Sequence, residues 1–104
     1  MGDRGDTCKP SQIVTILAEE TPREVYTYVD EPTTVKELSR ELDIPLTTAY
    51  RTVDRLEEAG LLTEHEQSGS PTEYVKTSEQ VIVRYTDPLE VTCLKGGLLL
   101  YCEV

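Results

Sequence analysis

The apolar positions of this chain form short stretches with helical spacing up to residue 59 and alternating, strand-like runs after it. The first stretch, residues 13–17, fits a helix or a strand, and we favour a helix that packs on the next element. Residues 1–10 show no apolar periodicity, which predicts a mobile tail.

A second helix is predicted from Thr21 to about Val29. Thr21 can accept a backbone N–H group, Pro22 suits the first helical position, and Glu24 completes a capping box. The inward side chains are expected to be Val25, Tyr28 and Val29.

A third helix is predicted to begin after Thr34, where Glu37 completes another capping box. Its apolar stripe has the spacing i, i+3 and i+7: Val35, Leu38 and Leu42. Asp43 follows at a corner, because Asp tolerates the left-handed backbone that a tight inter-helix turn requires. Ile44 is the expected apolar plug between this helix and the next.

The fourth helix is predicted over residues 46–59, with Gly60 placed where helices end in a left-handed residue. Its inward residues are Ala49, Val53 and Leu56. Residues 61–66 and 72–76 then flank the turn sequence QSGSP, which predicts a hairpin. Residues 77–104 alternate like strands, and a tight turn at Gly96 and Gly97 would pair Val91 with Cys102.

Residues 32–62, PTTVKELSRELDIPLTTAYRTVDRLEEAGLL, resemble the helix-turn-helix core of ArsR, IclR and MarR-like winged-helix regulators, particularly small archaeal ones. The shared features are the V-x-x-L-x-x-x-L stripe, the apolar turn residue, the Thr-rich start of the next helix, the Tyr-Arg pair and the LEEAGLL exit. The resemblance implies an α+β fold. We expect a winged helix-turn-helix domain over residues 11–76, with three to four helices and a β-hairpin wing, and a small C-terminal β appendage over residues 77–104.

In that fold, helix 46–59 lies in the DNA major groove and its outward residues contact base edges. Arg pairs bidentately with guanine, and Thr can donate, accept or touch a thymine methyl group. Base contacts are therefore predicted for Thr47, Thr48 and Arg51. Contacts to the DNA backbone are predicted for polar and basic residues around this helix and on the wing: Thr34, Lys36, Tyr50, Arg55, Gln67, Ser68 and Lys76. The alternative is a solvated helix face, with Arg55 paired to Glu58.

The charge of the chain is opposite to that of a typical nucleic-acid binder. It has 20 acidic and 10 basic residues, a net charge of −10. This balance is typical of proteins from halophilic archaea and other cells with molar internal salt, where self-repulsion is screened. The alternative is an ordinary acidic protein with basic partners. The wing has Glu64, Glu66 and Glu73 where many relatives place Arg or Lys, which argues against minor-groove contact and favours a second hypothesis, a winged-helix protein-interaction module.

Other functional classes find little support in the sequence. The chain has one histidine, His65, and no obvious nucleophile partner for it. It also has no glycine-rich phosphate loop and no pair of residues with metal-ligand spacing. We therefore expect no enzyme, no cofactor and no metal site. It shows no apolar run of about 18 residues and no signal-peptide pattern, which predicts a cytoplasmic protein.

Cys93 and Cys102 are expected on one sheet face, and we favour core packing over redox or metal sensing. The apolar LLLYC stretch would bury a face against the domain or a second copy, and we favour a homodimer on double-stranded DNA.

Overall fold

The computed structural model describes residues 10–65, 71–78, 80–95 and 98–103, with the backbone alone for Lys95 and for 98–103. Its helices are α1 (Pro10–Ala18), α2 (Glu20–Tyr28), α3 (Val35–Leu42) and α4 (Leu46–Glu58). Its strands are β1 (Thr33–Thr34), β2 (Leu62–His65), β3 (Glu73–Lys76), β4 (Gln80–Arg84), β5 (Glu90–Lys95) and β6 (Leu98–Glu103). Four helices, a hairpin after α4 and a second sheet confirm the predicted α+β winged helix-turn-helix fold. None of these helices is long and apolar enough to cross a membrane.

The first two helices begin earlier than the sequence pattern predicts. The tail predicted for residues 1–10 lies outside the described residues except at Pro10, which is buried at the start of α1. Helix α2 begins at Glu20 rather than after Thr21, because Glu19 is its N-cap residue. The Glu19 backbone is extended, and its carbonyl accepts the Arg23 N–H as the first bond of the helix. Thr21 therefore lies inside the helix and caps nothing. Pro22 remains within the first turn, where its missing N–H costs little.

One predicted inward residue of α2 is wrong. Val25 and Val29 are buried as expected, but Tyr28 is 37% exposed and Tyr26 takes the buried position. The Tyr26 hydroxyl donates a hydrogen bond of 3.0 Å to the carbonyl oxygen of Ser78. Ser78 lies just before the second sheet, so a long-range contact determines which tyrosine is buried.

The corner between α3 and α4 agrees with the sequence prediction. The Thr34 side chain accepts the Glu37 N–H at 3.1 Å and caps α3. Asp43 has a left-handed backbone, with φ 56° and ψ 50°. Ile44 packs against the core from its half-buried position, and its carbonyl accepts a hydrogen bond of 2.6 Å from the Ser39 hydroxyl. These contacts hold the corner that sets α4 against α3.

Three strands form the wing sheet in the order β1-β3-β2. The predicted hairpin is confirmed as β2 and β3, with Leu62 opposite Lys76 and His65 opposite Glu73. Strand β1 was not predicted. It pairs Thr33 with Tyr74 and Thr34 with Glu73, and so attaches the hairpin to the start of α3.

The C-terminal strands form a second antiparallel sheet in the order β4-β5-β6. The register places Val91 opposite Cys102, as the predicted turn requires. Val91 and Cys93 are buried in the same hydrophobic cluster as the helices, with Val81 and Val83 packed against it. The predicted core position of Cys93 is thus confirmed, while the side chain of Cys102 lies outside the described part. One face of this sheet closes the core of the helical domain.

Candidate nucleic-acid interface

The N-terminal half of α4 presents a polar surface to solvent. The buried stripe of this helix consists of Ala49, Thr52, Val53 and Leu56. Thr47 and Arg51 lie on the opposite side and are exposed, and Thr48 beside them is half-buried. The structure therefore brings the three predicted base-contact residues together within about one helical turn and leaves the Arg51 guanidinium accessible.

The first turn of α4 favours a negatively charged ligand. It contains no acidic residue, and the N-cap residue, Pro45, makes no side-chain capping hydrogen bond. The first N–H groups of a helix have no partner within the helix and form the positive end of its dipole. Thr47 and Thr48 lie in this turn and add hydroxyl groups to it.

A groove runs between the start of α3, helix α4 and the wing. It is lined by Thr34, Val35, Lys36, Tyr50, Pro71, Thr72 and Tyr74. Three of the residues predicted to contact the DNA backbone, Thr34, Lys36 and Tyr50, thus meet in one place. Lys36 is exposed and Tyr50 is 52% exposed. Thr34 uses its oxygen as the cap acceptor, which leaves its hydroxyl hydrogen free for a further acceptor.

The wing side of this groove was missed by the sequence prediction. Pro71, Thr72 and Tyr74 reach it because β1 pairs with β3 and draws the hairpin beside α3. The available signal was the pair of β-branched residues Thr33 and Thr34, a residue type that favours extended backbone. That signal suggests a short strand but does not name its partner.

The C-terminal half of α4 is acidic and faces the wing. Burial raises the pKa of Glu57, and the charges of Glu64 and Asp54 raise it further. Burial is also the main cause of a raised pKa at Tyr74, followed by the charges of Glu57, Glu64 and Asp54. Glu64 lies opposite Tyr74 in the pairing of β2 with β3. The three carboxylates would repel a phosphate approaching this end of the helix.

Arg55 has a protein partner rather than a free guanidinium. Its Nη1 and Nη2 atoms donate hydrogen bonds of 3.0 and 2.6 Å to the two carboxylate oxygens of Glu19. This pairing, chiefly through the hydrogen bonds, lowers the pKa of Glu19 and raises that of Arg55. The sequence-based alternative placed Arg55 against Glu58 on the same helix. The structure pairs it instead with a residue 36 positions away, at the α1–α2 turn.

Lys76 and the wing tip complete the predicted set. The Lys76 Nζ atom lies 4.8 Å from the centre of the Tyr26 ring, a cation–π contact at the base of the wing. Lys76 thus contacts Tyr26 of α2, and it follows the groove residue Tyr74 by two positions on β3. Gln67 and Ser68, also predicted to contact the DNA backbone, lie outside the described residues.

These features define a winged helix-turn-helix protein: a left-handed corner at Asp43, a braced second helix with an accessible N-terminal half, and a three-stranded wing sheet. Residues 17–65 match the family model described as a helix-turn-helix domain. The match runs from the end of α1 to the end of β2 and so includes the corner at Asp43 and the whole of α4. No curated protein matches the chain.

Proposed function

We propose that this protein is a sequence-specific transcriptional regulator that places the N-terminal half of α4 in the DNA major groove. The main supporting observation is the accessibility of Thr47 and Arg51 on the side of α4 opposite its buried stripe. The helix-turn-helix family match supports DNA binding in general. The protein would act by binding alone, without a cofactor.

Arg51 is the central residue of this proposal. An arginine that pairs bidentately with guanine supplies about 1–3 kcal/mol of discrimination against a wrong base. Thr47 and Thr48, one turn earlier, would contact the neighbouring bases. Both can donate or accept a hydrogen bond or touch a thymine methyl group, so they suit several bases.

The groove beside α3 would hold a DNA phosphate. Lys36 supplies the positive charge, and the hydroxyl groups of Thr34 and Tyr50 can donate hydrogen bonds to phosphate oxygens. Gln67 and Ser68 remain proposed backbone contacts at the wing tip. We leave Arg55 and Lys76 out of the DNA-contact set, because each has a partner within the protein.

The acidic half of α4 limits how the protein can approach DNA. Asp54 and Glu57 lie on the C-terminal half of α4, and Glu64 lies on strand β2 of the wing. With a net charge of −10, counterion release contributes little to affinity. Binding would depend on direct polar contacts and on the molar salt of a halophilic cell, which screens the repulsion within about 3 Å.

A homodimer would explain how so small a domain selects a site. Two copies related by a twofold axis would present two α4 helices to half-sites about 34–36 Å apart, on a pseudo-palindromic sequence. We propose that residues 77–104 provide the contact between the copies. The exposed apolar side chains of this region, Ile82 and Tyr85, support that role.

A protein-interaction module is the second candidate function. Asp54 and Glu64 are exposed, and Glu57 and Tyr74 are half-buried. This acidic and aromatic surface would suit a basic partner protein better than DNA. Under this hypothesis the helix-turn-helix core is kept and the acidic side of α4 and the wing is the binding surface.

Selection of bound fragments from genomic DNA in molar KCl, followed by fluorescence anisotropy on the selected site, distinguishes these functions. We expect Arg51→Ala to abolish specific binding and Arg40→Ala, an exposed arginine on α3, to leave it unchanged. The DNA-binding proposal is wrong if no fragment is enriched, or if Arg51→Ala binds the selected site as the wild type does. Capture of a basic partner that depends on Glu57 and Glu64 but not on Arg51 would support the second candidate.

A further inference from the structure

Strand β4 is an edge strand that lacks most of the residues that usually prevent pairing with other strands. Among the described residues, β4 is hydrogen-bonded to β5 alone, so its other edge has no strand beside it. Natural edge strands are usually blunted by lysine, proline or inward-facing charges, because unpaired N–H and C=O groups attract other strands. The sequence of β4, QVIVR, has no lysine, proline or carboxylate. Its one charged side chain, Arg84, has its Nη1 atom 3.6 Å from Oε1 of Glu90 on β5.

The side chains of β4 also suit a buried contact. Val81 and Val83 pack against the core, so Ile82 between them points to the outer face of the sheet, where it is 45% exposed. Tyr85 directly follows the strand and is 79% exposed. Exposed large apolar and aromatic side chains next to an open edge are typical of protein–protein interfaces.

The local charge selects a second copy of this chain as the partner. Residues 80–86 contain one arginine and no carboxylate, in a chain with 20 acidic residues. A contact made by this segment alone therefore brings no two carboxylates together. The other edge strand differs in this respect, because its register places Glu103 of β6 opposite Glu90 of β5. The β4 edge is thus suited to self-association despite the net charge of −10.

We propose that two copies pair their β4 strands antiparallel about a twofold axis at Ile82, which joins their C-terminal sheets into one six-stranded sheet. In this register Ile82 meets its own counterpart, and Val81 lies opposite Val83 of the partner subunit. Gln80 lies opposite Arg84 of the partner subunit, so no two like charges face each other along the strand. The proposal specifies the contact surface of the homodimer proposed above and depends on it.

Light scattering in molar KCl tests the surface. We expect the wild type to be a dimer and Ile82→Lys to raise its dissociation constant about tenfold or more, because a hydrated ammonium group would replace each apolar side chain at the axis. Thr63→Lys is the matched control, since Thr63 is exposed on β2, an edge strand of the other sheet. This control is expected to remain dimeric. Circular dichroism of both variants checks that they are folded.

Cysteine crosslinking tests the register without relying on a destabilised variant. In the proposed pairing the two copies of residue 82 are directly opposite each other. Their Cα atoms are about 4.5–5.5 Å apart, which is within reach of a disulfide. The two copies of residue 80 are about 13 Å apart along the strands. Mild oxidation should therefore link Ile82→Cys into a covalent dimer well above the wild-type background, and Gln80→Cys should stay at that background.

The possible failures are distinguishable. A monomeric wild type would overturn both the dimer and this interface. A dimer that persists in Ile82→Lys, with no excess crosslinking of Ile82→Cys over Gln80→Cys, would overturn the β4 interface alone. The DNA-contact proposal is judged separately by Arg51→Ala, because Arg51 lies outside the C-terminal sheet.

Discussion

Arg55 and Glu19 form a two-point ion pair that connects α4 to the turn between the first two helices. Both nitrogen atoms at the end of the guanidinium bond to the carboxylate, at 3.0 and 2.6 Å. Arg55 is the basic residue in the last turn of α4, and Glu19 immediately precedes α2. The pair is partly exposed, so its role is to fix the orientation of α4 rather than to supply a large stabilisation.

Removing this pair should lower stability without removing a DNA contact. We expect Arg55→Gln and Glu19→Gln to lower the Tm by similar amounts and the double variant to add little. The coupling should shrink in molar KCl, which screens exposed charges. Since Arg55 lowers the pKa of Glu19, the stabilisation is present above the pKa of Glu19 in the unfolded chain and is lost as pH falls through its lower folded pKa. Additive losses of Tm would show that the two side chains act independently.

Lys36 should contribute a phosphate contact that Arg40 does not. Both residues are exposed on α3, but only Lys36 lines the groove with Tyr50. We expect Lys36→Ala to weaken binding to specific and non-specific DNA alike and to reduce the slope of log affinity against log salt concentration by about one. Arg40→Ala should leave the slope unchanged. The groove has no phosphate role if the two variants give the same slope in anisotropy titrations.

Glu57→Gln should stabilise the protein at neutral pH. Burial and the charges of Glu64 and Asp54 raise the pKa of Glu57, so the folded state disfavours its ionised form. The contribution of Glu57 to stability is therefore fully present below its unfolded pKa and is lost as pH rises through the higher folded pKa. Thermal unfolding should show a higher Tm for Glu57→Gln at neutral pH and a difference that vanishes in acid. Glu58→Gln, an exposed neighbour with the same change of charge, should show a smaller effect at neutral pH.

Tyr26→Phe should reveal the contact between α2 and the chain entering the second sheet. Losing the hydrogen bond to the Ser78 carbonyl is expected to cost about 0.5–1.5 kcal/mol. Burial, with a smaller contribution from the charge of Cys93, raises the pKa of Tyr26 from 10.0 to about 12. Stability from this group is thus present below pH 10.0 and is lost as pH rises toward 12. Chemical unfolding across this range should show a shallower alkaline loss for Tyr26→Phe than for Tyr85→Phe, whose side chain is exposed, and equal losses would refute the assignment.

Local signals in the sequence were sufficient to predict the helices α3 and α4 and the corner between them. The Thr34 cap, the Asp43 corner and the left-handed Gly60 that follows α4 depend on backbone preferences and on contacts a few residues apart, which the sequence order displays directly. The outward position of Thr47 and Arg51 follows from helical periodicity, because the buried stripe determines the opposite face.

Contacts between distant residues decided the rest. The burial of Tyr26 instead of Tyr28 depends on Ser78, the pairing of Arg55 depends on Glu19, and the groove around Lys36 depends on the pairing of β1 with β3. Each involves residues about 36 or more positions apart, for which helical or strand periodicity contains no information. The sequence by itself determined the corner between α3 and α4, the hairpin after α4 and which face of α4 is polar. Only the packing of the elements decided which charges remain free, because the free energy of a charge depends on the neighbours that the tertiary fold brings to it.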